Sequence, residues 1–399
     1  MAGEIAWISH YDDDIMQKET EDFDLELGEE IDEEVSVVSV DIILPDDLLE
    51  RILSYLPIVS IFRASCVCKR WHTVFERFLS NPSHLLPQKP WYFMFTSSDE
   101  PSGHAYDPNL RKWNCIELPF IGTSNWFISS SYGLVCFMDN ENRTELCMCN
   151  PITKSFRMLQ KPPGMNSDYS ALAISVDKES HGYTVAIVKS NQVPGNFFQW
   201  DISIHVYNSK EEAWLTPLTE VLTGWRGGDE SVICNGVLYF VVYYTGGVPL
   251  ENRHALIAYC ISNRFSQASL SSIPVPCSLT CARLMNMKEK LVMVGGIGKP
   301  DRPGIIKGIG IWVLRDRRWE EIVRMPNKYF QGFGEFDDVF ASSGIDDLIY
   351  IQSYGSPALL TFDMNIKQWK WSHKCPVTKR FPLQLFTGFC FEPRLEIAP

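Results

Sequence analysis

The sequence has little of what would mark a membrane, secreted or nucleic-acid-binding protein. No run approaches the ~20 consecutive apolar residues a spanning helix requires. The N-terminus has no basic segment followed by an apolar one, so no secretory leader is expected. Twelve cysteines stand at 66, 68, 115, 136, 147, 149, 234, 260, 277, 281, 375 and 390. Cys277 and Cys281 are four apart, but neither a second pair nor a histidine pair lies at zinc-site spacing. The thiols are expected to be reduced and packed as small apolar groups, which points to a cytoplasmic or nuclear protein. The body carries no basic stripe interleaved with aromatics, so no nucleic acid is expected as partner.

Signs of catalysis are also scarce. The histidines at 10, 72, 84, 104, 181, 205, 254 and 373 form no local pair that could hold a metal. "GGIGKPDRPG", from Gly295, has neither phosphate-loop nor dinucleotide glycine spacing and reads as a loop. There is no Gly-x-Ser-x-Gly elbow, and "GSPA" at Gly355 reads as a turn. Asp337-Asp338 and Asp346-Asp347 are adjacent pairs, and neighbours on a strand point to opposite faces. No catalytic residue, metal or cofactor is expected, and the chain reads as a non-enzyme.

What is present is unevenly distributed. The net charge is −13, and residues 1–40 hold 14 Asp and Glu against one Lys. The remainder balances at 35 acidic and 35 basic residues. The leading segment therefore reads as an acidic disordered tail, and the body as neither a polyanion binder nor an acidic surface.

A helical block follows the tail. Pro45 suits a helix start, and Asp46 and Asp47 put negative charge in the first turn. Leu48, Leu49, Ile52, Leu53 and Leu56 recur at helical spacing until Pro57. A second helix should carry Ile58, Ile61 and Phe62. A third should carry Val67, Trp71, Val74, Phe75 and Phe78. Three helices in about 40 residues are near the lower limit for an independent fold and cannot bury this many large apolar side chains among themselves.

The ordered pattern Leu44-Pro45, Ile52-Leu53, Leu56-Pro57 and Val67-Cys68-Lys69-Arg70-Trp71 closely resembles the F-box motif. The resemblance implies docking on a Skp-type adaptor and, through it, a cullin–RING ubiquitin ligase. It implies adaptor contacts at Leu44, Pro45, Leu48, Ile52, Leu53, Leu56, Pro57, Ile61, Val67, Cys68 and Trp71.

Beyond Trp91 the chain repeats. Hairpins such as "GHAYDPNLRKWNCIELP" and "GIGIWVLRDRRWEEIVRMP" each end in an aromatic-led strand and a proline. Their anchors are Trp113, Phe156, Trp214, Phe265, Trp319 and Trp369, spaced 43 to 58 residues apart. A period near ~50 is kelch spacing, in which stacked blades bury faces that a lone blade could not. Six anchors predict six blades. The first blade lacks an inner strand, and the C-terminal "LQLFTGFCFEP" can supply it and close the ring.

The segments around Lys89-Pro90-Trp91 and from "GFGEF" to the C-terminus extend the resemblance to plant F-box/kelch-repeat proteins over nearly all of 41–399. The expected organisation is α+β and multidomain: an acidic tail at 1–40, a three-helix F-box at 41–85 and an all-β propeller at 86–399. The expected role is recognition of a protein to be ubiquitinated, with a copper-oxidase-type propeller or a non-ligase scaffold as alternatives. Two segments stand out as cargo-binding loops. "VPGNFFQWD" carries Phe197, Phe198 and Trp200. "LTGWRGGDES" carries Trp225 and Arg226, read as an exposed glycine-rich turn.

Overall fold

A computed structural model describes residues 44–80, 88–96, 102–118, 126–139, 143, 145–164, 166–246, 252–261, 269–299, 305–331, 333, 340–379 and 384–399. The acidic tail, His10, His84, Phe265 and Asp337-Asp338 lie outside the described residues. The chain divides into two compact units, Met1–Gln88 and Lys89–Pro399.

The first unit holds three helices, Asp46–Tyr55, Ile58–Ser65 and Lys69–Ser80. Pro45 and Pro57 cap the first two in extended conformation, so each proline ends one segment and starts the next. Leu49, Leu53, Ile58, Ile61, Val74, Phe75 and Phe78 meet in the interior. Asp46 ties the first helix to the third. Its carboxylate accepts Arg70 Nε at 2.9 Å and Arg77 Nη2 at 2.9 Å. Those two guanidinium groups, Arg77 foremost, hold the Asp46 carboxyl below its usual value.

The second unit is a six-bladed propeller of antiparallel four-stranded sheets. The innermost strands are Phe386–Phe391, Trp126–Ser131, Tyr169–Val176, Trp225–Cys234, Leu279–Met287 and Phe340–Ile345 in blades one to six. The apolar runs seen in the sequence form the second strand of each blade, where both faces are covered. Leu134–Asp139 and Leu348–Ser353 are buried at every position. Apolar side chains of neighbouring blades interlock: Ala171, Val188 and Ile204 of blade three share a core with Leu238, Phe240 and Val242 of blade four.

The C-terminal strand closes the ring as expected. It pairs with Trp91–Thr96 from Trp91 opposite Phe391 to Thr96 opposite Phe386. The residues beyond it reach to blade two. Asn150 Nδ2 donates to the carbonyls of Arg394 and Ile397, and Ile397 is buried there. The Arg394 guanidinium lies 3.6 Å from the Tyr132 ring centroid and pairs with Glu396 at 2.7 Å.

Anchoring tryptophans link blades. Trp113 Nε1 donates to His373 O, Trp214 Nε1 to Gln160 O and Trp319 Nε1 to Pro274 O, at 2.8 to 2.9 Å. Each bond runs from an outer strand to the end of the preceding blade's outer strand.

Hairpin turns explain several sequence signals. Asp107, Asn150 and Asp363 each accept backbone N–H groups two and three residues ahead. Arg111, Lys154 and Lys367 then take positive φ. "RDRRW" is such a turn, with Asp316 and Arg317 at positive φ. Two readings change. Asp346 and Asp347 lie in a hairpin turn rather than along a strand, and Asp347 pairs with Lys288. Gly295–Gly298 belong to the strand Lys290–Gly298, not to a loop.

Candidate functional site

The helical unit keeps only part of its apolar surface inside. Leu48 at 43%, Ile52 at 39% and Tyr55 at 60% exposure lie at i, i+4 and i+7 on the outer face of the first helix. Val67, expected in the third helix, lies in the turn before it at 64% exposure. Pro45 is exposed, while Leu44, Leu56, Pro57, Cys68 and Trp71 are half-buried. Leu53 and Ile61, expected as contact residues, have 0% exposure. They face the other helices, so they hold the unit together instead of meeting a partner. Tyr55 was missed by the sequence reading, although its spacing from Leu48 and Ile52 carried the signal.

The propeller's two faces are unlike. One is formed mostly by tight hairpin turns, where residues such as Arg111, Tyr132, Asn235 and Lys367 take positive φ. The chain enters the propeller on this side, because Trp91 lies opposite Phe391 at the far end of the closing strand. The other face carries the starts of the innermost strands and the longer connections. Phe197, Phe198, Trp225 and Arg226 all lie toward this second face.

Their environments separate them. Phe197 at 75% and Phe198 at 53% are exposed. Trp200 is 7% exposed and packs 5.7 Å from Tyr169, so it is core. Trp225 and Arg226 are not on a loop. They open the strand Trp225–Cys234 and are half-buried, with Trp225 set edge-on to Tyr244. The turn is made by Gly224 alone, at φ +78°. Gly227 and Gly228 serve close packing instead. A Cβ would lie 2.8 Å from Ser190 Cβ at the first and 2.3 Å from the Tyr243 ring at the second.

The Arg226 guanidinium is held between two rings, 3.8 Å from the Tyr169 centroid and 4.7 Å from that of Tyr243. Its Nη1 donates to Gly227 O. It borders a cavity of about 410 Å³ whose walls also include Phe127, Arg143, Asp229 and Arg283. Arg283 is paired with Glu230 at 3.4 Å. Behind Tyr243, His254 is buried, and neither ring nitrogen has a hydrogen-bond partner. Burial pushes it down to about 4, with Arg253 and Arg226 acting in the same direction. A second buried imidazole, His205, is bonded to Ser203 Oγ at 3.0 Å and Thr216 Oγ1 at 2.9 Å. Burial, with Lys189 second, also lowers it to about 4. Its 4% exposure leaves no room for a substrate. Among the described residues no group of three or more His, Cys, Asp or Glu side chains is arranged to hold a metal, and no helix is long and apolar enough to cross a membrane.

Comparison with known proteins decides the family. The F-box domain matches residues 42–82. An F-box/kelch-repeat protein of Arabidopsis thaliana is 62% identical over 388 residues, covering 93% of this chain and 94% of its own length. This chain belongs to the F-box/kelch-repeat proteins. More distant Arabidopsis relatives also match along most of this chain. F-box only protein 6 is 27% identical over 88% of this chain and 73% of its own. SKP1-interacting partner 15 is 25% identical over 89% and 98%. In this F-box/kelch-repeat protein the helical unit exposes the Leu48–Ile52–Tyr55 stripe, and the propeller carries its longer connections on one face.

Proposed function

We propose that this chain is the substrate-recognition subunit of an SCF-type (Skp–cullin–F-box) ubiquitin ligase. The helical unit docks on a Skp-type adaptor, and the propeller captures the protein to be ubiquitinated. Catalysis by the assembly is proximity, so the chain itself carries no bond chemistry. The observation that carries this reading is the outward apolar stripe Leu48, Ile52, Tyr55 with Val67, on a unit that matches the F-box. The name of one relative, SKP1-interacting partner 15, supports the same partner. Over nearly all of residues 41–399 the sequence resembles the plant protein Hawaiian Skirt, which we take as the finer kinship. Cytosol or nucleus is the compartment that suits its reduced thiols.

The test is capture of a Skp-type adaptor and a cullin by the purified chain. Wild-type protein should retain both, and Leu44→Ala with Pro45→Ala should lose both with the propeller still folded. Retention by the double variant at wild-type level would refute the reading.

A further inference from the structure

We propose that the cavity bordered by Arg226 is the target-recognition pocket, and that it takes a peptide segment bearing one acidic side chain, carboxylate or phosphate. This rests on the substrate-receptor reading above and adds the chemistry that reading lacks.

The argument begins with Arg226. Among the described residues no carboxylate pairs with it, whereas Arg283 on the next blade is paired with Glu230. A guanidinium has five N–H donors in a planar fork matched to an oxyanion. Here only Nη1 is engaged, by Gly227 O. The rings of Tyr169 and Tyr243 fix the fork from both sides, so little side-chain freedom is lost when an anion binds. The rings come from blades three and four, so the slot exists only in the assembled propeller.

The remaining walls narrow the ligand. Arg143 adds a second cation, anchored by its Nη1 on Ser167 O and set over the Phe127 ring. Asp168 and Asp229, both exposed, also line the cavity. A long polyanion would meet these carboxylates. A single acidic side chain directed at Arg226 brings only one negative charge among them. Phe127, Tyr169 and Tyr243 offer apolar surface to its neighbours, and the exposed Phe197 and Phe198 lie toward the same face.

The experiment immobilises the full chain and applies three pools of short degenerate peptides, with glutamate, phosphoserine or glutamine fixed at the centre. Wild type should retain an acidic pool over the glutamine pool by about tenfold, the scale of a charge-assisted hydrogen bond. Which acidic pool wins identifies the anion as carboxylate or phosphate. Arg226→Gln should abolish the preference. Arg226→Lys keeps stem and charge in the tyrosine slot but loses the fork, and should weaken acidic retention several-fold even if the glutamine variant fails to fold. Equal retention of all pools, retention of none, or an unchanged preference in either folded variant would overturn the proposal. Adaptor capture is scored on the same preparations. Acidic selection without adaptor capture upholds the pocket and overturns the ligase reading alone.

Discussion

The helical unit and the propeller solve burial in opposite ways. The propeller stacks each blade against two others, so even its second strands, such as Leu134–Asp139, are covered on both faces. The helical unit has no such neighbours within itself and leaves Leu48, Ile52, Tyr55 and Val67 in water. An apolar stripe on a unit this small is therefore informative: it marks the surface that a partner would complete. In the propeller the informative group is the reverse, a half-buried guanidinium, Arg226, to which no carboxylate is paired among the described residues.

The contrast can be broken most forcefully at the ring closure. Removing residues 384–399 takes away buried Phe386, Phe389, Phe391 and Ile397 and exposes the edge of Trp91–Thr96. We expect loss of cooperative melting and aggregation of the propeller. A truncated chain with unchanged melting and solubility would show that the ring does not depend on its closing strand.

The next largest effect should fall on the helices. Leu48→Glu with Ile52→Glu puts charge on the stripe without touching the core. Anchor residues at interfaces contribute about 2 kcal/mol or more each, so adaptor affinity should fall by well over tenfold with the helical melting unaltered. Calorimetric titration with adaptor reads both.

Acid should separate the units. His205 and His254 sit near 4 in the folded propeller, below the ordinary histidine value of about 6.5. The unfolded chain therefore binds more protons between those values, and propeller stability should fall as pH drops through that window, by up to about 1.4 kcal/mol per pH unit for each histidine. Asp46 is displaced in the same direction but from a much lower reference: its contribution is fully present above the usual carboxylate value and is lost only as pH falls below it. Denaturant midpoints at pH 7 and 5 should move for the propeller and not for the helices. His254→Phe should flatten the slope.

The smallest effect concerns the interblade tryptophans. Trp319→Phe removes a bond to Pro274 O and should cost about 1 kcal/mol. Trp369 Nε1 is buried with no partner, so Trp369→Phe should be neutral or stabilising. Equal losses at both positions would show that ring packing alone, and not the hydrogen bond, links the blades.

The elements most legible in the sequence were those whose burial leaves a period. Leucine spacing revealed the helices, and aromatic spacing revealed the outer hairpins. The innermost strands left little trace. "WFISSS" and "FASSGI" line a central channel of about 330 Å³, and their half-exposed serines break any apolar run. The pocket was misread for a related reason. Glycines at 227 and 228 look like a turn in sequence, but here they are forced by Ser190 and Tyr243 pressing on the backbone. Only the fold reveals whether a glycine is there to bend or to make room. The aromatic slot around Arg226 joins Tyr169 to Tyr243 across two blades, and no local pattern links residues so far apart.

The closing strand also sets an order in time. The helical unit is made first, and the strand Phe386–Phe391 that completes blade one is the last of the propeller to be made. At ~5–20 residues per second, the roughly 300 residues between them take on the order of 15–60 s to synthesise. During that interval a nascent chain acting as the receptor proposed above would already present its adaptor surface while its ring stays open. A messenger truncated late in the coding sequence would then yield a product able to occupy adaptor without holding cargo, a competitor of the intact receptor.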